Sequence, residues 1–198
     1  MGTDIACAYA RRAAEYTDLL GSMDAVHPSD RQLVETWAAE VDGPVIDAGC
    51  GPGHWSAHIA GRGRDVSGID ITPEFIEIAR RRFPGVPFEV GRLDQLAAAP
   101  GSIGGVLAWY SLIHHDRDGV CAALAEFARV IHPGGRLLVG FFEGTELERF
   151  PHAVITAYRW PTDELSREIE SAGFDVVETH TRTRTGSRTH GAIVARRR

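Results

Sequence analysis

Cysteine is scarce in this sequence of 198 residues: Cys7, Cys50 and Cys121 are all there are. The count is odd and no pair has metal-type spacing, which points to reduced thiols in a cytosol. Long apolar runs are absent as well. The opening MGTDIACAYARR has no apolar leader core, and no stretch is long enough to cross a bilayer, so a cytoplasmic protein without a membrane partner is expected. Positive charge does not dominate: 21 Lys and Arg stand against 27 Asp and Glu, a net charge of −6 that argues against a nucleic-acid surface. Internal repeats and low-complexity blocks are missing. What remains is 43% hydrophobic and 24% charged, enough for the core of one domain spanning 1–198.

Within that span, about 1–42 reads as an N-terminal helical cap. IACAYARRAAEYTDLLG is Ala-rich and helical, with Tyr9 and Tyr16 on one face. HPSDRQLVETWAAEV predicts a second helix, with Ser29 and Gln32 as a capping box and Leu33, Val34, Trp37 and Val41 at helical spacing. From Pro44 strands and helices alternate. PVIDAG, RDVSGID, VPFEVG, GGVLAWYSLI and RLLVGFF read as strands. GHWSAHIAG, TPEFIEIARRRF and DRDGVCAALAEFARVI read as the helices between them. A last helix, TDELSREIESAG, precedes two strands, FDVVETHTR and HGAIVARR, which are separated by the turn TGSR and pair antiparallel. The expected fold is α/β: a doubly wound, mostly parallel seven-stranded sheet with an antiparallel last strand and helices on both faces. Right-handed crossovers then bring the carboxyl ends of the parallel strands to one edge, where ligands bind.

VIDAGCGPG, residues 45–53, is the most informative stretch. An apolar strand ends at Asp47, and Gly49, Gly51 and Gly53 alternate after it. Such a turn either is a plain tight strand-to-helix connection or lets a ligand approach the backbone. A nicotinamide fingerprint needs glycine at its sixth position; counting from Gly49 that residue is His54. Asp47 would also repel a pyrophosphate. S-adenosylmethionine fits better: it has no phosphate, and its ammonium suits Asp47, directly or through water. Asp70 closes the second strand about twenty residues on, where an acid either caps a helix or takes both ribose hydroxyls.

On these residues the chain resembles the class I S-adenosylmethionine-dependent methyltransferases of small-molecule type. VIDAGCGPG looks like their first motif and GIDITPEFIEIAR like their second. GVLAWYSLIHH is similar to the fourth-strand motif, LAEFARVIHPGGRLLVGFF to the helix, turn and fifth strand, and the closing segment to the last helix and reversed hairpin. The resemblance implies that Asp47, Gly49, Cys50, Gly51 and Gly53 line the methionine end, that Asp70 holds the ribose, and that Ile71, Arg92 and Leu93 lie against adenine. Relatives often carry an acid at the place of Arg92; here it comes two residues later, as Asp94. Tyr16 covers the site, and His115 occupies a place that commonly faces the cofactor.

Other constellations compete. His54 and His58 stand four apart on a helix, a chelating spacing, but no third ligand accompanies them, and no metal is expected. Trp109, Tyr110, His114 and His115 end the fourth strand. Either they pack and cap the next helix, or Tyr110 and the histidines line the acceptor pocket. In the second case Tyr110 and His115 are the candidate catalytic residues, His115 as a base or as a positioning group. The Asn/Asp-Pro-Pro-aromatic stretch of nucleobase methyltransferases is replaced here by WYSLIHH, which disfavours a base as acceptor. Phe141, Phe142, Phe150, Tyr158 and Trp160 make the covering segment apolar. The expectation is therefore methyl transfer from S-adenosyl-L-methionine to a small organic acceptor. A non-catalytic protein of the same fold that binds S-adenosylmethionine or S-adenosylhomocysteine is the alternative.

Overall fold

The computed structural model describes residues 2–183 and 188–198, so most of the expected turn TGSR lies outside the described residues. The N-terminal cap holds three helices: α1 (Gly2–Ala10), α2 (Ala13–Leu20) and α3 (Pro28–Ala39). The first segment is thus two helices, interrupted at Arg11 and Arg12, and the break still leaves Tyr9 and Tyr16 edge to face with centroids 5.7 Å apart. The expected capping box at Ser29 does not form. His27 is the N-cap, its Nδ1 accepting the Ser29 N–H, because Pro28 takes the first helical position and shifts the start upstream.

The alternation after Pro44 gives β1 (Val45–Ala48), α4 (His54–Ala60), β2 (Val66–Asp70), α5 (Pro73–Arg82), β3 (Phe88–Val90), β4 (Ile103–Trp109), α6 (Arg117–Val130) and β5 (Ile131–Glu143). Two short strands follow, β6 (Glu148–Phe150) and β7 (Ala157–Trp160). Then come α7 (Thr162–Ser171), β8 (Phe174–Arg182) and β9 (His190–Arg197). Asp116, not a histidine, caps α6 by accepting the Gly119 N–H.

Strands β3, β2, β1, β4 and β5 lie side by side and parallel. β9 then adds antiparallel to β5, and β8 antiparallel to β9. The sheet has nine strands instead of seven, because the 148–160 segment folds back as the hairpin β6–β7. β7 pairs with Phe142 and Glu143, beyond the point where β4 ends opposite Gly140. Since β9 occupies the other edge of β5 at Phe142, β7 takes the edge that β4 vacates.

Both faces of the central strands β1 and β4 are buried, as their near-continuous apolar sequence requires, while β3 and β8 at the margins are largely exposed. Val106, Leu137 and Val139 pack with Leu124 and Phe127 of α6 and Leu165 and Ile169 of α7. The alternate residues Leu107 and Leu138 pack with Val34 and Trp37 of α3 and Trp55 and Ile59 of α4. The two-residue period of β4 and β5 thus assigns each side chain to a layer. The carboxyl ends of the parallel strands are left as an open edge beneath the N-terminal cap.

Candidate active site

The glycine turn is fixed by its own backbone. Gly49 and Cys50 donate their N–H groups to the Ile69 carbonyl at 2.7 and 3.0 Å, tying the end of β1 to β2. Gly49 has φ +84°, and a Cβ there would stand 2.2 Å from the Ser111 Cβ, so no larger residue fits. Gly51 has φ +53° and open space beside it. Asp70 clips this turn to the next one: one carboxylate oxygen accepts the Gly51 N–H at 2.9 Å and the other the Thr72 N–H at 2.8 Å. Burial pushes the Asp70 carboxyl up, and these two N–H bonds oppose the rise.

These groups line a cavity of about 220 Å³, together with Ile71, Arg92, Leu93, Asp94, Ser111 and His115. Tyr9, Tyr16 and Phe75 roof it, with Tyr16 and Phe75 centroids 5.3 Å apart. Burial raises the Tyr16 phenol to about 12, so it stays protonated. Arg92 and Asp94 form a bidentate pair at 2.8 and 2.6 Å on the outer rim. The Ser111 Oγ is buried with no partner among the described residues. Burial lowers His115 while Asp94 and Asp116 hold it up.

A second cavity, of about 470 Å³, opens next to the first. Trp55, Trp109, Tyr110 and Phe142 form its aromatic walls, and His27, His54, His152, His190, Asp30 and Arg182 supply its polar groups. The cavities share Tyr9, Tyr16, Gly49, Gly51, Trp109 and Tyr110 as a common wall. Tyr110 is the one described non-glycine residue with positive φ, at 57°. Its hydroxyl lies 2.5 Å from Nδ1 of His190. His114 is committed elsewhere: Nδ1 donates to the Thr156 carbonyl and Nε2 accepts from the Tyr9 hydroxyl, both at 2.8 Å. Burial lowers His114 to about 4, and the neutral ring latches the N-terminal cap to the loop before β7.

The residues expected from sequence therefore divide between the cavities. Gly49, Gly51, Asp70, Ile71, Arg92, Leu93, Asp94, Tyr16 and His115 come together around the first. Asp47 and Cys50 line the second instead. Asp47 is 1% exposed and accepts the Ser56 hydroxyl at 2.6 Å; burial pushes its carboxyl up to about 7. Gly53 lines neither cavity. A Cβ there would meet the Phe88 ring at 2.7 Å and Ala79 at 2.9 Å, so its glycine serves helix packing against β3. His115 lines the first cavity and not the second. Ser111 and His190 are functional candidates that the sequence reading misses. Ser111 had a signal in its place just past β4; His190 sits 80 residues from Tyr110 and had none.

A family profile described as a methyltransferase domain matches residues 45–135. Among curated proteins, the chain is 32% identical over 212 aligned positions to an S-adenosyl-L-methionine-dependent Diels-Alderase of Talaromyces variabilis, covering 90% of this chain and 70% of that protein. Against other curated relatives the chain spans only 37%, 56% and 41% of their lengths. Among solved structures it superposes on a [4+2]-cyclase with a TM-score of 0.82 at 17% identity, covering 100% of this chain and 97% of the other. It superposes on the 1,6-didemethyltoxoflavin-N1-methyltransferase of Burkholderia thailandensis with a TM-score of 0.78 at 20% identity, covering 100% and 90%. At these identities the structural matches establish the fold.

Proposed function

The chain belongs to the class I S-adenosylmethionine-dependent methyltransferases, and we propose that it transfers a methyl group from that cofactor to a small organic acceptor seated in the second cavity. The observation that carries this reading is the shared wall: a small cavity with a carboxylate clip and glycine turn meets a larger aromatic one across six common residues. The cofactor fits the first cavity by chemistry. The Asp70 carboxylate, already oriented by two main-chain N–H groups, suits a ribose diol. The open space beside Gly51 admits a ligand against the backbone, and the unpartnered Ser111 hydroxyl supplies a hydrogen bond.

When bound, the cofactor supplies an electrophilic methyl carbon. The protein's part is alignment and exclusion of water. Tyr9, Tyr16 and Phe75 close the roof over the first cavity. Trp109 and Tyr110 form the partition at which an acceptor atom meets the transferable group. The walls of the second cavity favour a flat, largely apolar acceptor with a few polar substituents.

A second reading has its own support. The Talaromyces relative is named a Diels-Alderase and the best-covered of these structural neighbours a [4+2]-cyclase. On that reading the large cavity holds one substrate in a folded, ring-closing conformation beside the cofactor. Incubation with methyl-tritiated S-adenosylmethionine and a metabolite extract separates the possibilities. Methyl transfer gives labelled product and S-adenosylhomocysteine. Cyclisation gives an unlabelled isomer of unchanged mass. Binding of S-adenosylhomocysteine with no product of either kind would favour a non-catalytic binding protein and overturn both readings.

A further inference from the structure

We propose that Tyr110 and His190 form a proton relay at the junction of the two cavities, and that the acceptor is a phenol whose proton leaves through it. This rests on the methyl-transfer reading and specifies the acceptor for the same site.

Three observations converge on the pair. Tyr110 is the aromatic side chain of the common wall whose hydroxyl engages a histidine of the second cavity, at 2.5 Å. Its backbone is held at φ 57°, a conformation that costs a bulky residue energy and persists only where the surroundings enforce it. The enforcement is visible. The Tyr110 N–H donates to the Gly140 carbonyl at 3.0 Å, and the ring packs against Trp109 and Phe142 with centroids 5.4 and 5.2 Å away. His190 sits on β9 directly opposite Phe142 of β5, so a paired strand fixes its ring.

Of the other histidines of the second cavity, His27 engages Ser29 through Nδ1, and the His152 Nδ1 is buried with no partner among the described residues, so neither is joined to a tyrosine through that nitrogen. Both nitrogens of His114 are engaged, and His115 faces the first cavity only. His54 is lowered to about 4 by burial, which leaves it a weak base. His190 is surrounded by Arg182, Asp30, Arg188 and His27; burial, the arginines and His27 lower it and Asp30 raises it. Burial also raises the Tyr110 phenol, so the tyrosine passes a proton on and does not itself serve as a standing base.

The step balances as follows. The acceptor oxygen forms its bond to the methyl carbon while the carbon–sulfur electron pair stays on sulfur. The acceptor's O–H proton moves to the Tyr110 oxygen, and the Tyr110 proton moves to Nδ1 of His190. One positive charge disappears from sulfur and one appears on the imidazole. An amine would not need this device, because it attacks as a neutral base and sheds its proton only after the carbon–nitrogen bond has formed. A phenol must shed its proton before or during attack. The flat walls of Trp55, Trp109 and Phe142 suit the aromatic ring that carries it.

The test uses the full chain saturated with S-adenosylhomocysteine, and 4-nitrophenol as probe, with 4-nitroanisole as the control that lacks the proton. The expected result is that 4-nitrophenol binds and its yellow phenolate band grows at a pH where the free phenol is mostly protonated. His190→Gln and Tyr110→Phe should each weaken 4-nitrophenol binding about tenfold and remove the band, with 4-nitroanisole affinity unchanged. His190→Gln should keep its S-adenosylhomocysteine affinity, which shows that it is folded, because His190 does not line the first cavity. Equal effects on nitrophenol and nitroanisole would mean a packing role and overturn the relay. So would a persistent phenolate band in both variants, or no nitrophenol binding by protein that holds S-adenosylhomocysteine. Loss of S-adenosylhomocysteine binding by the native chain would instead overturn the cofactor reading beneath it.

Discussion

The two cavities share the glycine turn and the two tyrosines of the cap, and differ in what completes them. The first is completed at the strand ends: β1, β2 and β3 end side by side, two turns fold back, and the Asp70 carboxylate joins them through peptide N–H groups. The second is completed by side chains from α3, α4, the segment after β4, the end of β5, β8 and the start of β9. Backbone sites tolerate few substitutions at their glycines and acids. Side-chain sites can change what they hold while the sheet stays the same. On the proposed function, affinity for the common ligand and choice of the variable one rest on the parts of the two cavities that are not shared.

The sharpest way to break this division is at Gly49. Gly49→Ala places a Cβ at φ +84° and within 2.2 Å of the Ser111 Cβ. It should cost roughly 3 kcal/mol of stability and abolish S-adenosylhomocysteine binding. Gly51→Ala meets no atom within 4 Å and should cost only about 1–2 kcal/mol. Thermal denaturation and calorimetry on the pair check the contrast; equal losses would mean that the turn is not shaped by its glycines individually.

Asp70→Ala comes next. It removes the acceptor of two main-chain donors and the proposed partner of the ribose, and should weaken S-adenosylhomocysteine binding about a hundredfold, on the order of 3 kcal/mol. Calorimetry with unchanged affinity would take Asp70 out of the site.

A smaller effect is expected from pH. Asp47 titrates at about 7 in the folded protein because it is buried. The folded state therefore holds this proton more tightly than the unfolded chain. The stability it contributes is full below about pH 4 and is lost as pH rises through about 7. Asp47 lines the second cavity and not the first, so S-adenosylhomocysteine affinity should stay level across this range while stability falls. Thermal denaturation in buffers on either side of about pH 7 measures the slope, and Asp47→Asn should erase it.

The smallest change sharpens the other side of the comparison. Phe142 lines only the second cavity and the replacement leucine is still apolar. Phe142→Leu should cost less than about 1.5 kcal/mol and leave S-adenosylhomocysteine affinity within about twofold, while changing which acceptors are bound. A large loss of cofactor affinity would show that the two regions are coupled through Tyr110.

What could be read from the sequence follows the same line. The first cavity was legible because its parts are local. VIDAGCGPG and GID each contain the strand and the turn it feeds, and the parallel order brings the turns together. Gly53 misled because it shares the alternating pattern with Gly49 and Gly51, yet it faces the Phe88 ring, a contact that no spacing announces. The second cavity was only partly legible. Tyr110 was visible at the end of a strand, but the dependence of its ring on His190 rests on the antiparallel register of β5 and β9, which is set far along the chain. The β6–β7 hairpin read as a covering loop because its strands are three and four residues long, too short to display a period of two. The break between α1 and α2 was hidden by strong helix formers on both sides of the two arginines.

That hairpin has a practical consequence for protein engineering. The chain leaves β5 at Glu143 and comes back at Trp160, and these two residues are partners in the sheet. The Gly144 N–H reaches the Trp160 carbonyl at 3.1 Å, and the Thr162 hydroxyl reaches the Glu143 carboxylate at 2.7 Å. The neck of the excursion is thus closed by its own bonds, whatever lies between. A segment grafted between residues 144 and 159 begins and ends at one address, so its length can vary without re-registering β1 to β5. It behaves as a cassette with one constraint: the Thr156 carbonyl, which holds His114 and through it the Tyr9 roof, has to be kept.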